Sequence, residues 1–502
     1  MDNRPISTAL SRAPAGLAAP LVRVEVHLGP GLPAFFMVGL PEAAVRESRE
    51  RVRSALTTAG FTFPTGRVTV NLSPADLPKE GGRFDLPIAI GILAASGQFS
   101  RDRLVDREFY GELALGGELR ETPKLLPALR AGARDGRELI VPAANALEAS
   151  LVAGPKIKLA HDLLEVCRAL KGGPPLPCAS GHLSPAHAPR PDLADVRGQF
   201  AAKRALEIAA AGEHGLLMIG PPGAGKTLLA QRLPGLLPRL GRREVLEVAS
   251  LESAAGSRPS LRDCRPFRSP QHTASVAALI GGGAFRPGEL SRAHLGVLFL
   301  DELPEFASNA LEALREPLES GVVVLSRAKR TYEFPARFQL VAAMNPCPCG
   351  YAGDPRGRCR CTAREVARYR NRLSGPLIDR IDMHVELSAL PIETLLCETP
   401  VPAESSTVVA ARVAAARDIQ MQRQGKLNSR LTPTELAAMC KLDRESRALI
   451  GSAIDKLGLS ARAFHRVLKL ARTCADLANE PQIRSSQMSE AVNLRVLDRM
   501  TG

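Results

Sequence analysis

The eight residues Gly220-Pro221-Pro222-Gly223-Ala224-Gly225-Lys226-Thr227 follow the pattern G-x-x-x-x-G-K-[ST] and constrain this chain more than anything else in it. The pattern carries a mechanism only where a strand precedes it and a helix follows. Here GLLMIG reads as a buried strand before the loop, TLLAQRLPGLL as a helix after it, and QFAAKRALEIAAAGEH as a helix upstream. Such a loop closes backbone N–H groups around phosphates at a helix N-terminus. Lys226 would then reach the β and γ phosphates, and the Thr227 hydroxyl would ligate Mg²⁺. ATP and Mg²⁺ are the expected cofactors, and an α/β P-loop domain is the expected fold around them.

Downstream, the apolar run Gly296-Val297-Leu298-Phe299-Leu300 ends in Asp301-Glu302. One carboxylate can hold the Mg²⁺ shell while the second orients water. A strand entering a solvated turn can look the same, and it is the position after the phosphate loop that favours the functional reading. The next strand, FQLVAAMNP, ends at Asn345, whose amide could sense the γ-phosphate, although Asn before Pro is also a common turn former. In LIDRID, Arg380 stands where ring-forming ATPases keep an arginine that acts on a neighbour's nucleotide. Arg462, with Arg466 as its rival, opens a C-terminal helix and would be a second nucleotide-sensing arginine; each could instead be a surface charge.

The rest of the chain divides around this core. From Val22 to about Leu170, strand-like pieces (VRVEVHL, RVTVNL, ELIVP) alternate with helical ones (EAAVRESRERVRSALTTAG, LPIAIGILAASG), which gives an α+β domain over 1–171. The Pro- and Gly-rich run at 172–191 reads as a linker, 192–390 as the ATPase core, and 391–502 as a helical lid with apolar residues at three- and four-residue spacing. No stretch is apolar for long enough to span a membrane and no signal-like segment opens the chain, so the expectation is a cytoplasmic protein with no membrane partner. The formal charge of +14 makes nucleic acid the first partner to consider, against the plainer reading of solvated arginines on helix surfaces.

Ten cysteines are too few for a disulfide framework in a chain of 502 residues, yet Cys347, Cys349, Cys359 and Cys361 crowd into C-x-C-x9-C-x-C. They suffice for a closed tetrahedral Zn²⁺ site within 347–361, although the one-residue gaps are tighter than usual and redox-active or structural thiols remain the alternative. Around them stand Arg356, Arg358, Arg360, Arg364, Arg368, Arg370 and Arg372, with Glu365 the only acid between residues 358 and 372. Arginines so poorly matched by acids suit phosphate contact, with Arg358 and Arg360 the first candidates.

Nearly the whole chain resembles the magnesium-chelatase-like AAA+ proteins, and within them the ComM/YifB family. The segments GLPAFFMVGLPEAAVRESRERVRSAL, NLSPADLPKEGGRFDLPIAIGIL, GPPGAGKT, RPFRSPQHTAS, VLFLDELPEF, NPCPCGYAGDPRGRCRC and SGPLIDRIDMHVEL carry the likeness. The resemblance implies a hexameric ATPase that remodels branched or single-stranded DNA in natural transformation, as a helicase for branch migration alongside recombination proteins. It also implies a hairpin before Asn345, made of GVVVLSR and TYEFP, with Arg327, Lys329 and Arg330 near a DNA-contacting tip. The alternative within the same resemblance is a chelatase-type motor subunit or protein-remodelling ATPase. The N-terminal region resembles the proteolytic domain of Lon through FYGELALGGELRETPKLLPALRAG, but Arg83 stands in place of the serine nucleophile and Thr122 in place of the lysine. That leaves no dyad for acyl transfer and implies an accessory role, with Ser73 a turn or cap residue.

Overall fold

The computed structural model describes residues 6–39, 47–152, 156–179, 190–260, 262–282, 286–327, 330–354, 356–389, 403–457, 459–495 and 497. The N-terminal sheet has seven strands in the order Ala34–Val38, Arg67–Ser73, Leu21–Gly29, Ile6–Arg12, Arg107–Phe109, Glu138–Pro142, Ile157–Ala160. The first four form a largely antiparallel half and the last four a parallel one, with Ile6–Arg12 belonging to both. The helix Asp85–Ala95 packs on Ile6–Arg12 and Leu21–Gly29 and is buried at every position, as its nearly continuous apolar sequence requires. The central strand Ile6–Arg12 was not legible in advance. It turns Ser7, Ala9 and Ser11 inward and leaves Ile6 and Thr8 exposed, the reverse of the usual pattern, because Ser7 Oγ donates to the Gly91 carbonyl (2.6 Å) beneath the helix.

The second sheet is parallel throughout, in the order Phe267–Arg268, Val297–Leu300, Gln339–Met344, Leu216–Ile219, Met383–Glu386. Its middle strands are buried at every residue, so they read as continuous apolar runs rather than alternating ones. The single helix expected after the phosphate loop is two short ones, Lys226–Ala230 and Leu233–Leu236. Pro234 lacks the N–H that a continuous helix would need there.

Among the described residues, five α-helices follow at the C-terminal end: Ser406–Gln424, Pro433–Met439, Arg444–Leu457, Ala461–Leu477 and Ser485–Asn493. Val413, Val467, Leu470 and Ala471 share one core with Leu206, Ala209 and Leu216, so these helices pack directly on the second sheet's own layer. Much of the expected linker (180–189), the last residue of the expected core (390) and the start of the expected lid (391–402) lie outside the described residues. No described helix is long and apolar enough to cross a membrane.

Among the described residues, the N-terminal sheet meets the rest of the chain at a helix pair and at a hairpin. Helix Leu126–Arg134 lies against Arg242–Ala254, where Arg130 donates to Ser250 Oγ (2.8 Å) and Ser253 Oγ to Glu148 (2.8 Å). The hairpin Val322–Arg327 with Arg330–Pro335 sends Tyr332 and Phe334 into the N-terminal core, beside Gly16.

Candidate nucleotide and nucleic-acid site

Strand order assembles the phosphate loop. Leu216–Ile219, Gln339–Met344 and Val297–Leu300 are parallel neighbours, so Gly220, Asn345 and Asp301 leave the sheet at one edge. Gly225 turns the chain into its helix at φ +87°, a conformation side chains resist, and the helix begins at Lys226. Lys226 Nζ donates to the carbonyls of Gly220 (2.5 Å) and Pro221 (3.1 Å) and to Asn345 Oδ1 (2.9 Å). Burial lowers its pKa, and the charges of Asp301 and Glu302 oppose that shift. Thr227 Oγ1 donates to Asp301 Oδ2 (2.7 Å), which brings the two expected Mg²⁺ ligands together without an intervening side chain. The donor set, a hydroxyl and a carboxylate beside open solvent, suits a hard cation that keeps its waters.

Glu302 follows with φ +53°, a left-handed backbone that costs about 1 to 2 kcal/mol outside glycine. This bend turns the second carboxylate away from the strand axis, toward the loop that follows Phe267–Arg268. There His272 Nδ1 stands 3.3 Å from Glu302 Oε2. Sequence reasoning quoted the His272 segment without assigning it a role. It also missed Gln199, whose amide donates to the carbonyls of Ala224 (3.1 Å) and Ser388 (2.8 Å) and ties the phosphate loop to the end of the last strand. No pattern in the sequence marks either one.

Arg380 and Arg462 lie elsewhere. Arg380 precedes Met383–Glu386, and Leu216 pairs with Met383 while Ile219 pairs with Glu386, so the length of a strand, roughly 13 Å, separates Arg380 from the start of the phosphate loop. Arg380 bonds Glu319 and the Pro376 carbonyl (2.7 Å). Arg466 bonds Asp382 at the same edge, and exposed Arg462 sits one turn before it on the helix. Together with Glu319, His465 and Lys469 they line an open cavity of about 220 Å³ that contains no residue of the phosphate loop. For Asp382, burial would raise the carboxyl, but the His214 hydrogen bond and the charge of Arg466 outweigh it and hold the pKa below the usual range.

The four cysteines come together directly after Asn345. Their sulfur atoms all lie within 4.8 Å of one another, with Cys347 to Cys349 at 3.3 Å, Cys349 to Cys359 at 3.7 Å and Cys347 to Cys359 at 3.8 Å. Thiolates about 2.3 Å from a tetrahedral Zn²⁺ stand roughly 3.8 Å apart, so this set fits the ion with small adjustments. The segment is pressed against the phosphate loop. Gly350 has φ +84°, and a Cβ there would meet Pro222 Cδ at 2.6 Å. Arg358 is less free than its sequence suggested, since it bonds Asp354 (2.6 Å) and stacks over Tyr351 (4.3 Å). Arg372 likewise pairs with Glu305 (2.6 Å), whereas Arg356, Arg360, Arg364 and Arg368 are exposed. Lys329 lies outside the described residues, and of Arg327 and Arg330 only the backbone pairing is described.

In the N-terminal sheet, Arg83 and the Thr122 segment do meet. Buried Arg83 donates to the carbonyls of Pro123 (2.5 Å), Lys124 (3.2 Å) and Arg12 (3.4 Å), and burial draws its pKa down to about 10. A guanidinium fixed on carbonyl groups offers no nucleophile. Ser73 ends the strand Arg67–Ser73.

Three family models match the chain: magnesium chelatase, subunit ChlI, over 192–395; subunit ChlI of Mg-chelatase over 24–145; and the magnesium chelatase subunit ChlI C-terminal model over 403–495. The competence protein ComM of Haemophilus influenzae is 49% identical over 504 residues, spanning 99% of this chain and 98% of that protein. YifB of Escherichia coli is 48% identical over 499 residues, with 99% and 98% covered. The magnesium-chelatase 38 kDa subunit of Cereibacter sphaeroides is 28% identical over 177 residues, which is 30% of this chain and 51% of that subunit.

Proposed function

Because this chain belongs to the ComM/YifB family of magnesium-chelatase-like ATPases, we propose that it is a ring-forming, ATP-dependent DNA motor that drives branch migration in transformation or homologous recombination. Family membership implies ATP hydrolysis with Mg²⁺. In this reading Lys226 holds the phosphates, Thr227 and Asp301 carry Mg²⁺, Glu302 orients the attacking water, and Asn345 reports the γ-phosphate to the sheet. The chain divides into an accessory unit with the Lon resemblance, a motor and a helical lid, working in the cytoplasm.

The observation that carries the ring is the edge on which the arginines sit. Arg380 stands a strand's length from its own phosphate loop and Arg462 lines the same cavity, so in this reading both serve catalysis by entering a neighbour's site, as a homo-hexamer allows. DNA is favoured over a tetrapyrrole-directed or protein-remodelling role by the four-cysteine segment. There Zn²⁺ would fold a short loop that presents Arg356 and Arg360 to solvent, ahead of a helix that exposes Arg364 and Arg368, a device a chelatase motor has no use for. Arg327, Lys329 and Arg330 at the hairpin tip would add further phosphate contacts, which are independent of sequence and sensitive to salt.

The test is the ATPase rate with single-stranded, duplex and four-way-junction DNA across a salt series, with Glu302→Gln as the blank. Stimulation by junction or single-stranded DNA that fades with salt supports the motor. A rate indifferent to every DNA, with no binding at low salt, replaces it with the chelatase-like alternative.

A further inference from the structure

The open side of the N-terminal sheet has no part in the roles given so far. In its antiparallel half the register sets Ile6, His27, Thr69 and Phe36 in one row across four strands, and Thr8, Glu25, Asn71 and Val38 in the next. Leu10 and Arg23 pair on one side of these rows, and Arg67 pairs with Gly29 and Ala34 on the other. Residues directly opposite one another share a face. The residues between them, among them Val24, Val26, Val68 and Val70, are buried on the other face, which helix Asp85–Ala95 covers. The solvated face of an antiparallel sheet is ordinarily polar. This one exposes Ile6 (45%), Phe36 (45%) and Val38 (53%) beside the exposed cations Arg23, Arg67 and the imidazole of His27. The Arg67 guanidinium lies 4.4 Å from the centre of the Phe36 ring. Among the described residues of these four strands, Glu25 is the one carboxylate on the open face, and Asn71 Nδ2 donates to it (2.8 Å). Apolar and aromatic surface set among positive charges that few acids match complements a ligand that is both flat and anionic. The turn between Ile6–Arg12 and Leu21–Gly29 also touches the basic hairpin: a Cβ on Gly16 would meet Tyr332 Cδ1 at 3.3 Å, and Tyr332 lies two residues past Arg330 at the hairpin tip.

We propose that the open face of the N-terminal sheet is a platform for single-stranded DNA, with bases stacked on Phe36, His27 and the outer plane of the Arg67 guanidinium, and phosphates held by Arg23 and Arg67. The proposal rests on the DNA-motor reading above. Bases stack on aromatic rings and on guanidinium planes alike, and unpaired bases are the ones that offer their faces. A duplex fits poorly, because its major groove admits a helix or a two-stranded ribbon and not the face of a four-stranded sheet. Two copies of the chain pairing through this face would set Arg23 and Arg67 against their own kind. A strand held at the hairpin tip passes onto the sheet at its Arg23 end, and the accessory unit then keeps it from re-pairing while the motor advances.

The experiment measures binding of labelled oligothymidylate and of a blunt duplex across a salt series by the full-length wild type, Phe36→Ala, Phe36→Trp and the double variant Arg23→Gln with Arg67→Gln. Thermal midpoint, native mass and DNA-free ATPase rate are followed alongside and should match the wild type throughout. F36A should bind oligothymidylate about 5- to 20-fold more weakly with an unchanged salt slope, since a lost stack carries no charge, and F36W should bind at least as tightly as the wild type. In the arginine double variant the slope of log affinity against log salt should become shallower by about 1.4, two phosphate contacts at about 0.7 each. Duplex affinity should be unchanged in every variant. If F36A lowers the thermal midpoint, Phe36→Leu, which keeps apolar bulk without a ring face, replaces it. A wild type that binds oligothymidylate, with variants that keep its affinity and slope or lose duplex binding equally, overturns this inference alone. So do variants that bind normally but form smaller assemblies, which assign the face to a contact between copies. A wild type that binds no single strand and whose ATPase is indifferent to every DNA overturns it together with the motor reading.

Discussion

Gly350 joins the cysteine segment to the phosphate loop through two constraints at once, a left-handed backbone and a missing Cβ that would otherwise meet Pro222 at 2.6 Å. Gly350→Ala therefore meets both strain and overlap, which together should cost about 1 to 3 kcal/mol. The expected result is a lower thermal midpoint and weaker binding of an ATP analogue; a variant with wild-type values for both would show that Pro222 yields freely. His294 offers a second reading at this scale. It is buried and accepts the Arg337 N–H at Nδ1 (3.1 Å), and burial pulls its pKa down to about 4. The unfolded chain, with an ordinary value near 6.5, takes up the proton first, so the contribution of His294 to stability is complete above about pH 6.5 and is lost as pH falls toward 4. His294→Asn keeps an acceptor without a titration. The stability of the wild type relative to this variant should fall by up to about 1.4 kcal/mol per pH unit across that window, and a constant difference in denaturant unfolding contradicts it. The residues of the phosphate loop were legible because their chemistry demands fixed types at fixed spacing. His272 and His294 were not, since each owes its importance to a neighbour distant in sequence.

At the scale of elements, the middle strands of the parallel sheet announced themselves as short apolar runs, whereas Ile6–Arg12 hid because small polar side chains face inward beneath the fully buried helix Asp85–Ala95. The cysteine segment was visible as a pattern, but its contact with Pro222 was not, because packing between loops leaves no periodic trace. If Zn²⁺ folds this segment, the ion supports the phosphate loop from outside it. The purified protein should carry about one zinc per chain by elemental analysis. Replacing Cys347 and Cys359 by Ser, or stripping the ion with a chelator, should remove the metal and weaken ATP-analogue binding, and added Zn²⁺ should restore the stripped protein. Full nucleotide affinity in metal-free protein would separate the cysteines from the ATP site.

For the whole molecule, the decisive question is which nucleotide each arginine serves. Parallel pairing of Leu216–Ile219 with Met383–Glu386 places Arg380 at the edge of the sheet opposite Lys226, and Arg462 lines the same cavity as Arg380; on the proposed reading a single chain then holds two incomplete half-sites. The sequence pointed to an arginine acting across subunits at position 380, but it left Arg462 without a side, because which end of the sheet a C-terminal helix approaches is decided by packing against Phe200–Gly212 and not by local pattern. A mixing experiment reads the consequence directly. Lys226→Ala and Arg380→Ala should each be inactive alone. In an equimolar mixed ring, a junction where an intact Lys226 meets an intact Arg380 arises with a chance of one half times one half, so about a quarter of the wild-type ATPase rate should return. Lys226→Ala mixed with Arg462→Ala should behave in the same way, since exposed Arg462 lines the same cavity as Arg380 while Arg466 is held by Asp382. If either mixture is no more active than its components, although mixed rings have formed by native mass measurement, that arginine serves its own chain and the placement of the half-sites on opposite edges does not govern hydrolysis.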